Sequence, residues 1–204
     1  MKVKHLVGAF LCVLGCYACS SPKTEVQSPD GHIKMTLTVD ENGKPFYNVS
    51  VDDSLLIENS AMGFTAANGI ILGEGFQVKN TTFSSEDETW TQPWGENKKN
   101  RNHYNEMAVN LTNEDHVQLT LRFRVFDDGI GFRYEYTVPT VDSLLITDEL
   151  TTFRFHRDGT SWSIPASAET YELLYQQQPI SEVETANTPC LLYTSPSPRD
   201  GLLS

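Results

Sequence analysis

The chain has 204 residues, 39% hydrophobic and 10% aromatic, with 15 Lys and Arg against 27 Asp and Glu for a net charge of −12. That is enough material for one folded domain, too short for most two-domain enzymes, and too apolar for a disordered chain. The acidity argues against a nucleic-acid partner, because phosphates reward Lys and Arg, and a single long apolar run excludes a polytopic membrane protein.

That run opens the chain. Residues 1–19 carry Lys2 and Lys4 and then an apolar stretch from Leu6 to Gly15, which suits a signal-peptide core and is too short to span a bilayer. Its end, Val13-Leu14-Gly15-Cys16, resembles a lipoprotein signal-peptidase box. Cys16 is the expected lipidation point. Cys19, preceded by Ala18, is the alternative, although Cys16 then stands where an aliphatic residue belongs. An ordinary cleaved signal is the remaining option, and each predicts export. All four cysteines, Cys12, Cys16, Cys19 and Cys190, lie near the ends. The body therefore has no disulfide framework, thiolate zinc site or cysteine nucleophile.

The body reads as β throughout. His32 to Val39 alternates apolar and polar residues, and Glu41-Asn42-Gly43-Lys44 supplies a turn. Phe46 to Val51 is a second strand, with Asp52-Asp53-Ser54 turning into Leu55-Leu56-Ile57. Phe76 to Thr82 follows, then an irregular polar stretch, then Asn105 to Leu111. The clearest pair is Val117 to Phe126 with Gly131 to Tyr136, joined at Asp127-Asp128-Gly129. Leu144 to Leu150 and Thr152 to Phe155 add two more strands, and no window carries a helical stripe. The spacing predicts an all-β, antiparallel sandwich.

From Cys190 to Ser204 no hydrophobic period appears, and the run CLLYTSPSPRD resembles the in-frame translation of a sequencing adapter. The expected organisation is a signal at 1–19, a β-sandwich domain over 20–189 and an artefactual tail at 190–204. On that reading the chain is the front piece of a longer protein.

Chemistry-bearing motifs are sparse. His32, His103, His116 and His156 show no metal spacing and read as surface or packing residues. No nucleophile elbow or phosphate loop is present. Pairing carboxylates from sequence alone would be arbitrary, because glycosidase pairs are defined by spatial separation. One segment stands apart, running from Asp87 through Trp90, Trp94, Glu96, Arg101, His103 and Tyr104 to Glu106. Exposed, such residues would stack on pyranose faces and bond hydroxyls. Alternatively, the segment is a long loop pinned across the sandwich by buried tryptophans.

Trp90 to Glu96, Arg101 to Glu106, and Arg122 to Glu135 together resemble the N-terminal domain of family 97 glycoside hydrolases. Ser28-Pro29-Asp30-Gly31 and Trp162-Ser163-Ile164-Pro165 extend the likeness over about residues 27 to 185. The resemblance implies an incomplete N-terminal β-super-sandwich, followed in the parent by a (β/α)8 catalytic barrel and a C-terminal β-domain. It implies an exported α-glucosidase or α-galactosidase acting on oligosaccharides. The expected location is the periplasm or outer membrane of a Gram-negative bacterium, the latter through a lipid anchor.

It also implies a Ca²⁺ ion near the catalytic centre, with one glutamate ligand supplied shortly after the Ile-Pro element. In Ile164-Pro165-Ala166-Ser167-Ala168-Glu169-Thr170-Tyr171-Glu172 the matching position is Glu172, with Glu169 as the alternative. Ser167 and Ala168 depart from the family's Asp and Tyr. The catalytic carboxylates are expected in the barrel, so the fragment is predicted inactive. A stand-alone carbohydrate-binding module and a surface-anchored structural β-domain are the competing functions.

Overall fold

Where one side of a strand is buried and the other wetted, alternation in sequence becomes alternation in burial. A computed structural model describes residues 23–67, 70–164 and 173–183. It shows this in β2 (Ile33–Val39), β3 (Pro45–Val51) and β9 (Gln118–Phe126), whose residues alternate between buried and part-exposed. β1 (Glu25–Gln27), β2, β3 and β4 (Ser54–Ala61) form one antiparallel sheet in chain order. A second sheet has the order β10 (Gly129–Thr137), β9, β8 (Lys99–Thr112), β7 (Gln77–Thr91). Two smaller sheets complete the fold. One joins β11 (Ile146–Glu149), β5 (Phe64–Ala66) and β6 (Ile71–Leu72), and the other pairs β12 (Thr160–Ser163) with β13 (Gln176–Pro179).

The two large sheets share a single core. Met35, Leu37 and Tyr47 from the first sheet join Val109, Leu121 and Phe123 from the second, all essentially inaccessible to solvent. Tyr47 buries its ring but donates its hydroxyl to the Thr152 carbonyl at 2.9 Å, and burial pushes that phenol up to about 12. Phe132 continues the aromatic packing, with its ring centroid 5.5 Å from Tyr47 and 6.0 Å from Phe123.

Short-range chemistry fixes the turns. Asp52 and Asp53 both take positive φ, as the two-residue loop between β3 and β4 requires. Gly43 has φ +74° and packs so tightly that a Cβ would lie 2.3 Å from the Phe76 nitrogen. At the other end, Ser28 closes the β1–β2 turn by accepting the Ile33 amide on Oγ. The Asp30 amide then donates to Asp127 Oδ1 at 2.9 Å, tying that turn to the one between β9 and β10.

The all-β sandwich expectation holds: among the described residues the helical elements are short turns such as the 3-10 turn at Ile180–Glu182. Two expectations change. Thr152 to Phe155 is no strand and makes one bridge, Phe155 to Ile57. Backbone bonds hold it beside β4, with the Thr152 amide donating to Ala61, the Glu58 amide to Arg154 and the His156 amide to Leu56. Side chains add to them, Thr152 Oγ1 accepting the Ala61 amide and Ser60 Oγ the Arg154 amide. The polar stretch after Thr82 is not irregular either, since it continues β7 and starts β8.

Candidate functional site

β8 pairs with β9 only from Tyr104–Phe126 to Thr112–Gln118, but with β7 as far as Thr91–Lys99. Beyond Phe126, β7 and β8 therefore run on as a two-stranded ribbon without the third strand. A ribbon exposed on both faces has no apolar side to bury, so cross-strand pairs must hold it. Arg101 supplies the strongest, donating Nε and Nη2 to the two oxygens of Asp87 at 2.7 and 2.8 Å. That bidentate bond holds the Asp87 carboxyl below its ordinary range. Next to it, Asn102 donates to Glu88 Oε1 at 2.9 Å. The Gln92 amide donates to the Lys98 carbonyl at 3.0 Å and closes the tip, where Gly95 has φ +120°.

The tryptophans point to solvent. Trp94 is 85% exposed and Trp90 is 45% exposed, opposite Asn100. The pinned-loop alternative requires buried tryptophans and fails on this observation. Glu96 is likewise exposed at the tip.

At the root of the ribbon burial returns. Asn105 donates to the Gln27 carbonyl at 2.9 Å, joining β8 to β1 across the sandwich. His103 is part-buried, with Nδ1 3.6 Å from Asp127 Oδ2, and that nitrogen has no hydrogen-bond partner among the described residues. Tyr104 and Glu106 are buried on the opposite face of β8. Glu106 accepts Arg122 Nη1 at 2.6 Å and Arg124 Nε at 2.7 Å, while the Arg124 guanidinium lies 4.4 Å from the Tyr104 ring centre. Arg122 also donates to both oxygens of Glu135, and Arg133 donates to the same carboxylate.

Burial pushes the Glu106 carboxyl up, yet the bonds from Arg124 and Arg122 outweigh it and hold the group below its ordinary range. Glu135 is lowered by Arg122. A general acid needs a raised pKa, so this pair binds and braces instead of supplying protons.

The expected site residues thus lie along one hairpin, with Tyr104, Glu106 and His103 at its root, Arg101 midway and Trp90, Trp94 and Glu96 outward. The sequence motif contained Arg122, Arg124, Arg133 and Glu135, but their link to Glu106 depends on cross-strand register and was missed. Beside the hairpin, a cleft of about 750 Å³ lies between the edge strands β1 and β7, with Gln27, Asp30, Phe83 and Asn105 among its walls. The expected calcium ligand Glu172, its alternative Glu169, and Cys16 and Cys19 all lie outside the described residues. Among the described residues no cluster of His, Cys, Asp and Glu could hold a metal ion.

The fold is an antiparallel all-β sandwich that sends out an exposed, ion-paired ribbon carrying two tryptophans. The chain matches the family model Glycosyl-hydrolase 97 N-terminal over residues 26–198, and it belongs to that family. It is 29% identical over 133 residues to the retaining alpha-galactosidase of Bacteroides thetaiotaomicron, a match covering 65% of this chain and 19% of that protein. Among solved structures it resembles a family 97 enzyme variant from Pseudoalteromonas sp. strain K8 in complex with panose. There the identity is 34% and the TM-score 0.70, covering 78% of this chain and 25% of that one. A complex of the Pseudoalteromonas enzyme with acarbose matches at 35% identity and TM-score 0.68, over 76% of this chain and 24% of that one. The chain therefore spans about a fifth to a quarter of the length of these relatives.

Proposed function

We propose that this chain is the carbohydrate-associated N-terminal sandwich of an exported, calcium-dependent α-glycosidase, an α-glucosidase or α-galactosidase. Its catalytic carboxylates belong to a barrel outside the chain. The family match over residues 26–198 carries the proposal. The relatives' own names support a glycoside substrate, as an alpha-galactosidase and as enzymes complexed with panose or acarbose. Within this domain, the ribbon from Asp87 to His103 contacts the substrate-bearing remainder of the enzyme. Its tryptophans are exposed while Asp87 is already paired with Arg101 and Glu88 with Asn102, so it offers flat aromatic area beside groups that need little further desolvation.

Ca²⁺ takes six to eight oxygen ligands and a carboxylate supplies at most two, so Glu172 would contribute one ligand among several. A lipid anchor at Cys16 or Cys19 would hold the enzyme at the membrane.

The test is to extend the gene beyond residue 189 and assay the longer protein on aryl α-glucosides and α-galactosides. Turnover by the longer protein, with none by the 204-residue chain above a boiled control, is expected. Turnover by the short chain, or none by the long one on either substrate, overturns the proposal. In the chelator-stripped long enzyme, Glu172→Gln should need more calcium to recover activity, while Glu169→Gln should not. The reverse pattern assigns the ligand to Glu169, and no shift in either variant removes the site.

A further inference from the structure

The outer face of the second sheet carries a charge ladder that runs Arg133, Glu135, Arg122, Glu106, Arg124 across β10, β9 and β8. It begins and ends in arginine, so three guanidiniums face two carboxylates and one positive charge is left over. The two end arginines are not used up. Arg124 gives only Nε to Glu106, and Arg133 gives Nε to Glu135 with Nη2 2.7 Å from the same oxygen. Among the described residues, no hydrogen bond engages either Nη of Arg124 or Nη1 of Arg133.

Between these ends the sheet has a dent. Gly131 stands opposite Arg124 in the β9–β10 register, next to the Arg133–Arg122 pair. Without a side chain there, a notch of about 200 Å³ opens, lined by Arg122, Arg124, Arg133, Phe126, Gly131 and Phe132. A Cβ built on Gly131 meets nothing within 4 Å. Free guanidinium N–H groups around an open notch match the planar fork of a carboxylate. The single uncompensated charge matches a monoanion, and Phe126 offers an apolar wall. The chain as a whole, at net −12, repels anions, so the notch is a local exception to its field.

We propose that the Gly131 notch binds one carboxylate, carried by an acidic sugar or by another small carboxylic acid. The proposal concerns this domain alone and does not rest on the glycosidase activity. Arg124 and Arg133 would grip the carboxylate, with Arg122 held between Glu106 and Glu135 as a fixed positive floor.

The test is titration of the 204-residue chain with sodium glucuronate, sodium acetate and glucose at constant ionic strength, following the Nε–H resonances of Arg124 and Arg133. Saturable shifts with both carboxylates and none with glucose are expected. Equal dissociation constants for acetate and glucuronate identify a general carboxylate site, and tighter glucuronate binding identifies an acidic-sugar site. Gly131→Leu fills the notch without removing any charged group and should weaken binding at least tenfold, as should Arg124→Gln. Absence of saturable shifts in the wild type, or unchanged binding in Gly131→Leu with its circular dichroism intact, overturns the proposal.

Discussion

The two halves of the β7–β8 hairpin share a backbone pairing and differ in everything else. Near the core, Met107 and Val109 are fully buried and face Phe123 and Leu121 on β9. Farther out, Asp87 to Thr91 and Lys99 are exposed and lie past the last β8–β9 pair. The inner half is held by apolar burial, and the outer half by an Arg–Asp fork and an Asn–Glu bond. Exposed ion pairs contribute little to stability, so the outer half is dispensable to the fold. In the function proposed above, the ribbon serves contact with the rest of the enzyme.

Substitutions can break or sharpen this contrast. Phe123→Ala, in the inner half's facing strand, should cost about 3–5 kcal/mol of stability in urea unfolding, because it leaves a cavity in a packed core. A loss indistinguishable from that of ribbon variants would erase the distinction between the halves.

Glu106→Gln, at the boundary, should cost about 1–3 kcal/mol, since it weakens two charge-assisted bonds while both arginines keep partial access to water. Its signature is in pH. The Glu106 carboxyl titrates below its ordinary 4.5 in the folded chain, so its stabilisation is complete above that value. It is lost as pH falls through the lowered folded value. Wild-type unfolding midpoints should drop over that acidic window, and Glu106→Gln should flatten the drop. Parallel curves for the two proteins would contradict the bracing role.

Trp90→Ala and Trp94→Ala should each change stability by no more than about 0.5 kcal/mol, as surface substitutions do. Arg101→Ala should leave the unfolding midpoint near that of the wild type, because its pairing with Asp87 is exposed. A large loss in any of these three would show that the ribbon supports the fold.

The contrast also explains what the sequence could disclose. β2, β3 and β9 were legible because one face of each is buried, and β10 because Phe132, Tyr134 and Tyr136 pack half-buried against the core, which writes period-2 alternation into the residues. Val117 to Phe126 predicted β9 to within a residue at its start. The ribbon was illegible as strand because both its faces are wet, and Glu86-Asp87-Glu88-Thr89 has no pattern to show. β6 and β13, at 2 and 4 residues, are too short to show an alternation and take their strand character from pairing with β5 and β12. The residue types of the site were visible in the motif from Asp87 to Glu106. The ladder through Glu106, Arg122 and Glu135 was not, because strand register follows from folding as a whole.

The most direct measurement places the ribbon in its proposed setting. In the enzyme extended beyond residue 189, kcat/KM on an aryl α-glycoside is compared between wild type and the Trp90→Ala, Trp94→Ala double variant, with thermal unfolding measured alongside. The account predicts at least a tenfold loss of kcat/KM with an unchanged unfolding midpoint. Unchanged kcat/KM in a fully folded double variant would contradict it.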